Sequence, residues 1–346
     1  MPTIRDVAKL AGVSVATVSH VVNGTHFVSE PARERVTNAM RALDYQRNEV
    51  ARSLRRGRTL TLGLVLPDSA NPFFAEIGRS IESAAASQGY SVILCNTYGD
   101  IKKERSYVDL LLAKQVDGII VDTEEKHGQG LAARFPYQLP VVLVDREISE
   151  NPFDTVVTDN QRGARLATEH LISLGHRRIG CITGPHHLTS SVQRLSGFRQ
   201  ALAEAGLSDT EDLIFHGDFR PPSGLAGFQN LINLPEPPTA IFACNDMMAL
   251  GVLRAALEAG VRVPQDLALA GFDDIEIGQF VYPSLTTIAQ QKDEIGLRTI
   301  QRIVELISGD EKRPQTILVP PRLITRESSG AQLRESGRQK GSSNFP

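Results

Sequence analysis

From residue 60 onward the chain alternates short apolar runs with amphipathic stretches, and this rhythm limits its fold more than any other feature. Apolar runs at 62–66, 91–95, 118–121 and 141–144 are interleaved with helix-like stretches such as 74–87 and 102–114. A second series runs through 179–182, 213–215, 240–243 and 267–270, again with helical stretches between. Short, nearly continuous apolar runs separated by helices mark parallel strands covered on both faces. The pattern predicts a core of two doubly wound α/β lobes. Segment 284–307 is placed as a return crossover to the first lobe, since each lobe otherwise ends without a linker. After Arg326 the chain is polar and rich in Gly and Ser without heptads, which predicts a disordered tail and not a tetramerising coiled coil.

Residues 3–45 follow a helical period instead. Thr3 can cap a first helix with Asp6 as its capping-box partner, and Gly12 breaks it. Ser14 caps a second helix, 15–23, with Val18, Val21 and Val22 on one face and Gly24 at its stop. A third helix is predicted from Ser29 to about Leu43, with Glu30 and Pro31 suited to its first turn. Helix, short Gly-containing turn and helix is helix-turn-helix geometry. Charge follows the same division. Residues 1–60 carry ten Lys and Arg against five acids, a net of +5, whereas the remainder is −8, giving the whole chain −3. A basic head on an acidic body implies that the head meets a polyanion.

The second helix would enter a major groove by its N-terminal end. Val15 and Ala16 then face base edges and suit thymine methyls, Thr17, Ser19 and Asn23 suit phosphate oxygens, and His20 can reach a base edge.

Other function classes find little support. No apolar run reaches the length of a membrane span and charges interrupt the N-terminal segment, so a cytoplasmic protein is expected. Cys95, Cys181 and Cys244 have neither CxxC nor metal spacing and read as buried thiols. Gly128, Gly130 and Ala133 fit GxGxxA, but well past their strand and not at a first βα turn. With no P-loop, GxSxG or HExxH, neither enzyme activity, cofactor nor metal is expected.

The segments TIRDVAKLAGVSVATVSHVVNG, FVSE and ARSL closely resemble the headpiece of the LacI/GalR family of transcriptional repressors, and the resemblance extends from Thr3 to about Arg326. Within that family TVSHVVN with FVSE is most similar to ribose and purine repressors. The resemblance implies a helix-turn-helix headpiece over 1–46, a hinge helix and linker over 47–59, a periplasmic-binding-protein-like two-lobed core over 60–330 and a tail over 331–346. It also implies a homodimer on a pseudo-palindromic double-stranded operator, with Leu54 wedged into the minor groove. The DNA-binding set is Thr3, Ser14, Val15, Ala16, Thr17, Ser19, His20, Asn23, His26 and Leu54, where His26 replaces an arginine frequent in purine-type repressors.

Ligands of open α/β sheets bind at the carboxyl ends of strands. Those ends carry Asn71, Phe73, Phe74, Asp145, Arg146, Arg194, Phe219, Asn245, Asp273 and Gln290, a set of carboxylates, amides, guanidiniums and aromatic rings suited to sugar hydroxyls and C–H faces. These positions are similar to the sugar contacts of periplasmic ribose-binding proteins. The implied effector is therefore D-ribose, or another pentose or hexose, acting to release the operator. A purine-corepressed regulator and a carbon-catabolite regulator with a phosphorylated protein partner are the alternatives. Asp246 reads as a helix N-cap, and His186 and His187 read as an ordinary surface loop.

Overall fold

The computed structural model describes residues 2–45, 58–123, 128–136, 138–148, 150–208, 210–309 and 313–331. By contacts the chain divides into two units, Met1–Thr59 and Leu60–Pro346. The hinge residue Leu54 and the end of the tail lie outside the described residues.

The first unit has helices α1 (Ile4–Ala11), α2 (Val15–Asn23) and α3 (Glu30–Ala42). The boundaries of α1 and α2 have local causes. The Asp6 carboxylate accepts the Thr3 backbone N–H at 2.7 Å while Thr3 Oγ1 accepts from Asp6, a reciprocal capping box. Gly12 ends α1 at φ 63°, in the left-handed region open to glycine at little cost. The Ser14 hydroxyl accepts from Thr17 N at 3.0 Å to start α2. Val7, Ala8, Ala11, Val18, Val22, Val36 and Ala39 form the buried core between the helices. Such a small apolar centre leaves much of the unit's stability to its caps.

The second unit begins with β1 (Thr61–Leu66), α4 (Pro72–Ser87), β2 (Ser91–Asn96), α5 (Ile101–Ala113), β3 (Gly118–Val121), α6 (Gly128–Ala132), β4 (Val141–Val144) and β5 (Asp154–Thr158). The chain then continues through α7 (Asn160–Ser173), β6 (Ile179–Thr183), α8 (Thr189–Glu204), β7 (Ile214–His216), α9 (Pro221–Ile232), β8 (Ala240–Ala243), α10 (Asp246–Glu258) and β9 (Ala268–Ala270). It closes with β10 (Thr287–Ala289), α11 (Lys292–Ile307), β11 (Thr316–Val319) and β12 (Arg322–Ile324). One sheet has order β11-β5-β4-β3-β1-β2 and a second β7-β6-β8-β9, with every neighbouring pair parallel. Strands β10 and β12 pair antiparallel.

Two lobes result, and the chain passes between them three times, after β5, after β10 and after β11. Ala164, Ala167 and Leu171 of α7 belong to the core of the second lobe, whereas Ile295, Ile300 and Ile303 of α11 pack with Ile77 and Ile81 of α4 in the first. Segment 284–307 therefore returns to the first lobe only through its helix, because Thr286 and Ala289 stay bridged to Ala270 and Asp273 of the second lobe. Strand β5 escapes the hydrophobic pattern because it begins with Asp154. Its buried carboxylate pairs with Arg302 Nε at 2.9 Å, and Arg302 is itself buried. A polar pair thus replaces the apolar contact that would have signalled a strand.

The expected tail also begins later than Arg326. Ser328 and Ser329 are buried, with Ser328 Oγ donating to Leu269 O at 2.7 Å and Ser329 Oγ bonded to His170 Nε2 at 2.8 Å. No helix among the described residues is long and apolar enough to cross a membrane.

Candidate functional site

In the headpiece, the N-terminal end of α2 presents Val15 and Ala16 to solvent, while Val18 and Val22 turn inward. Ser14, Thr17, Ser19, Asn23 and His20 are already hydrogen-bonded locally. Ser14 Oγ lies 2.8 Å from Thr17 Oγ1, Asn23 Nδ2 donates to Ser19 O at 2.8 Å, and His20 Nδ1 lies 3.1 Å from Thr25 Oγ1. The His20 and His26 rings sit 4.4 Å apart, so these two candidates form one surface feature. Thr3 stands at the start of α1, where its hydroxyl is engaged in the capping box. Phe27, beside His26, is 94% exposed and was not singled out by the sequence reading, because an aromatic residue before a polar turn ordinarily reads as core.

In the second unit, nine of the ten candidates line one cleft: Asn71, Phe73, Phe74, Asp145, Arg146, Arg194, Phe219, Asn245 and Asp273. Gln290 is fully buried and stands behind Asp273, donating to its Oδ1 at 2.7 Å. Strand ends and helix starts supply the wall. Asn71 caps α4 by accepting from Phe73 N at 3.1 Å, and Asn245 caps α10 by accepting from Met248 N at 2.9 Å. The cap of α10 is thus Asn245 and not Asp246. Asp246 is buried, accepts from Thr287 Oγ1 at 2.6 Å and Ile275 N at 3.0 Å, and so anchors the loop that carries Asp273. Burial, and next the charge of Asp273, push its carboxyl well above the usual range.

Three wall residues, Asp145, Phe219 and Asp273, have φ of 68°, 66° and 122°. Residues with a Cβ rarely adopt such backbones, which collect where a site needs a side chain aimed against its local preference. The Phe219 ring is accommodated by Gly184, where a Cβ would come within 2.1 Å of Phe219 Cζ.

Arg194 is the centre of the polar wall. Its Nε donates to Asn160 Oδ1 at 2.8 Å, one Nη donates to Cys244 O at 2.7 Å, and the same nitrogen lies 3.6 Å from Asp273 Oδ1. The guanidinium also stacks 3.8 Å from the centre of the Phe272 ring. Burial raises the Asp145 carboxyl, with Arg194 and Arg146 opposing. Burial likewise lifts Asp273 to about 7 against Arg194, Gln290 and Lys292, with Asp145 adding to the rise. The cleft therefore presents carboxyl acceptors and fixed guanidinium donors beside the Phe73 and Phe74 rings, which meet edge to face at 5.2 Å. Asn160 was missed because it follows the unrecognised strand β5. His187, read as ordinary surface, lines the cleft, whereas His186 does not.

Residues 3–48 match the family model described as bacterial regulatory proteins, lacI family, and residues 168–329 match that of the periplasmic binding protein-like domain. The chain is 39% identical over 329 residues to the HTH-type transcriptional repressor PurR of Aliivibrio salmonicida (strain LFI1238), covering 95% of this chain and 99% of the relative. Among solved structures, a lac repressor dimer bound to operator and the anti-inducer ONPF has a TM-score of 0.85 and 32% identity, with 95% of this chain and 99% of that chain covered. A periplasmic binding protein/LacI transcriptional regulator from Alkaliphilus metalliredigens QYMF, complexed with D-xylulofuranose, has a TM-score of 0.69 and 31% identity over 78% of this chain and 98% of that one. The repressors among these similar proteins place the chain with transcriptional regulators and not with enzymes. The chain belongs to the LacI family of DNA-binding transcriptional repressors.

Proposed function

We propose that this repressor binds operator DNA as a homodimer through its headpieces and is released by a small neutral sugar, D-ribose or a related pentose, held in the cleft. The observation that carries the sugar reading is that buried Asp145 and Asp273 line one cleft together with Arg146 and Arg194. Vicinal hydroxyls donate to carboxylates and accept from guanidiniums at once, and the Phe73, Phe74 and Phe219 rings supply faces for C–H groups. The solved relative holding D-xylulofuranose supports this reading, and the operator-bound lac repressor dimer supports the mode of DNA binding. By the same family logic, Leu54 is the wedge at the operator centre.

A second reading, a purine acting as corepressor, has the stronger sequence similarity behind it, since the relatives named PurR align over nearly the whole chain. The same three phenylalanines could stack on a base. Calorimetric titration with D-ribose, other pentoses, hexoses, hypoxanthine and guanine separates the two readings, followed by operator binding with whichever compound gives heat. Ribose or pentose binding that weakens operator affinity upholds the first reading. Purine binding that strengthens operator affinity replaces it with the second.

A further inference from the structure

Behind Arg146 lies a buried ionic chain that the cleft alone does not explain. Arg146 Nε is 3.0 Å from Asp122 Oδ1, and one Nη donates to Thr123 O at 3.2 Å. Thr123 Oγ1 donates in turn to Glu104 at 3.0 Å, and Glu104 pairs with Arg134 Nη1 at 2.7 Å. Asp122 and Glu104 are each only 1% exposed. The Arg146 guanidinium is therefore braced from the protein side by the Asp122 carboxyl group before any ligand arrives. A pre-oriented guanidinium loses little freedom on forming ligand hydrogen bonds.

The brace also changes the charge of the site. The cleft lining includes Asp68, Asp145, Asp218 and Asp273 against Arg146, Arg194 and Arg220, and Asp122 adds another acid directly behind Arg146. A phosphate or carboxylate reaching Arg146 would therefore meet a guanidinium already paired with a buried acid, and in a partly desolvated site that pairing acts strongly.

We infer that Asp122 is a positioning and specificity-determining residue, which fixes Arg146 for hydroxyl groups and cancels its charge so that neutral polyhydroxylated ligands are accepted and phosphorylated ones turned away. The inference deepens the sugar reading and rests on it. D-ribose and D-ribose 5-phosphate are titrated into the full-length wild type and Asp122→Asn. The wild type is expected to favour ribose at least a hundredfold. Asp122→Asn is expected to lose at least tenfold in ribose affinity and to gain affinity for ribose 5-phosphate. In an Arg146→Gln background, Asp122→Asn should change neither affinity further, which a merely structural role would not produce. An unchanged ribose to ribose 5-phosphate ratio in Asp122→Asn, or a full effect persisting without Arg146, overturns the inference.

Melting curves and operator binding establish that each variant is folded. Should Asp122→Asn fail to fold, Arg146→Gln alone decides: ribose affinity must fall at least tenfold, and wild-type affinity overturns the inference. If the wild type binds hypoxanthine and no sugar, the sugar reading fails on its own. The bracing role is then read from hypoxanthine affinity, which must fall in Asp122→Asn but not when Arg146 is already absent.

Discussion

In the headpiece the candidate contact residues are exposed or half-buried and their polar groups bond to near neighbours in sequence, whereas in the cleft Arg194, Asp273 and Gln290 are buried and bond across the chain. Ser14 meets Thr17 and Asn23 meets Ser19, separations of three and four residues. Arg194 meets Asn160, Cys244 and Asp273 from three different elements. A reading helix must leave its outer face free for a partner that brings its own charges, so its hydrogen bonds are settled locally. An effector cleft must instead be assembled by the whole fold, so its residues hold one another in place. Disruption of the cleft should therefore reach both binding and stability, while disruption of outward-facing headpiece side chains that cap no helix, such as Ala16, should reach binding alone.

The largest expected effect is at Arg194. Arg194→Ala leaves Asp273 without its buried partner and strips Asn160 Oδ1 and Cys244 O of their donor. Removing one member of a buried pair costs about 3–5 kcal/mol, and the second unit should lose about that much in urea denaturation. Effector heat should vanish in calorimetry. Retention of wild-type stability would show that the cleft is no more interdependent than the headpiece surface.

Ala16→Glu tests the other side. Ala16 is exposed at the start of α2, and a carboxylate there faces phosphates across the groove. Operator affinity measured by fluorescence anisotropy should fall by about a hundredfold or more, the cost of about two well-made base contacts at 1–3 kcal/mol each. Effector titration and the melting of the second unit should not change. A loss of effector binding with this variant would break the proposed separation of roles.

What could be read in advance divides along the same line. Thr3, Gly12, Ser14 and Gly24 act within one turn of themselves, and the first two headpiece helices begin and end where those residues require. The apolar strands β3 and β4 were equally legible, since burial on both faces leaves continuous Gly118–Val121 and Val141–Val144 runs. Strand β5 was not, because Asp154 is satisfied by Arg302, which lies 148 residues away. The cleft residues were found by strand-end logic, but their bracing was invisible for the same reason. Asp122 looks like an ordinary loop acid until the fold sets Arg146 beside it.

A smaller effect comes from pH. With its carboxyl lifted to about 7, Asp273 is a full acceptor only above neutrality. Ligand affinity that depends on the carboxylate should fall about tenfold between pH 8 and pH 6, as the protonated fraction grows. Stability has the opposite sign. The unfolded chain ionises Asp273 near 3.8, so between about pH 4 and 7 the native state holds a proton that the unfolded state has lost, and stability should decline as pH rises through that window. Asp273→Asn should weaken the pH dependence of both quantities, with Asp145 and Asp246 carrying what remains of the stability slope. Calorimetry and denaturation of wild type and variant across pH 5–8 measure them, and no difference between the two proteins would remove Asp273 from the titration.

The smallest effect should belong to Ser14. Its hydroxyl accepts from Thr17 N and lies 2.8 Å from Thr17 Oγ1, so Ser14→Ala removes one cap and should cost the headpiece about 1 kcal/mol. In a unit whose most deeply buried side chains are valines and alanines, that is a sizeable share of stability, and amide exchange of Val15–Asn23 should accelerate accordingly. Operator affinity should fall by no more than the same free energy, about fivefold, because the N-terminal turn of α2 must be formed to enter the groove. Matching losses in exchange protection and operator affinity would mean that Ser14 acts by holding the helix start. An affinity loss well beyond the stability loss would instead assign the hydroxyl a direct phosphate contact, and the local bonding that distinguishes the headpiece from the cleft would then give way when DNA binds.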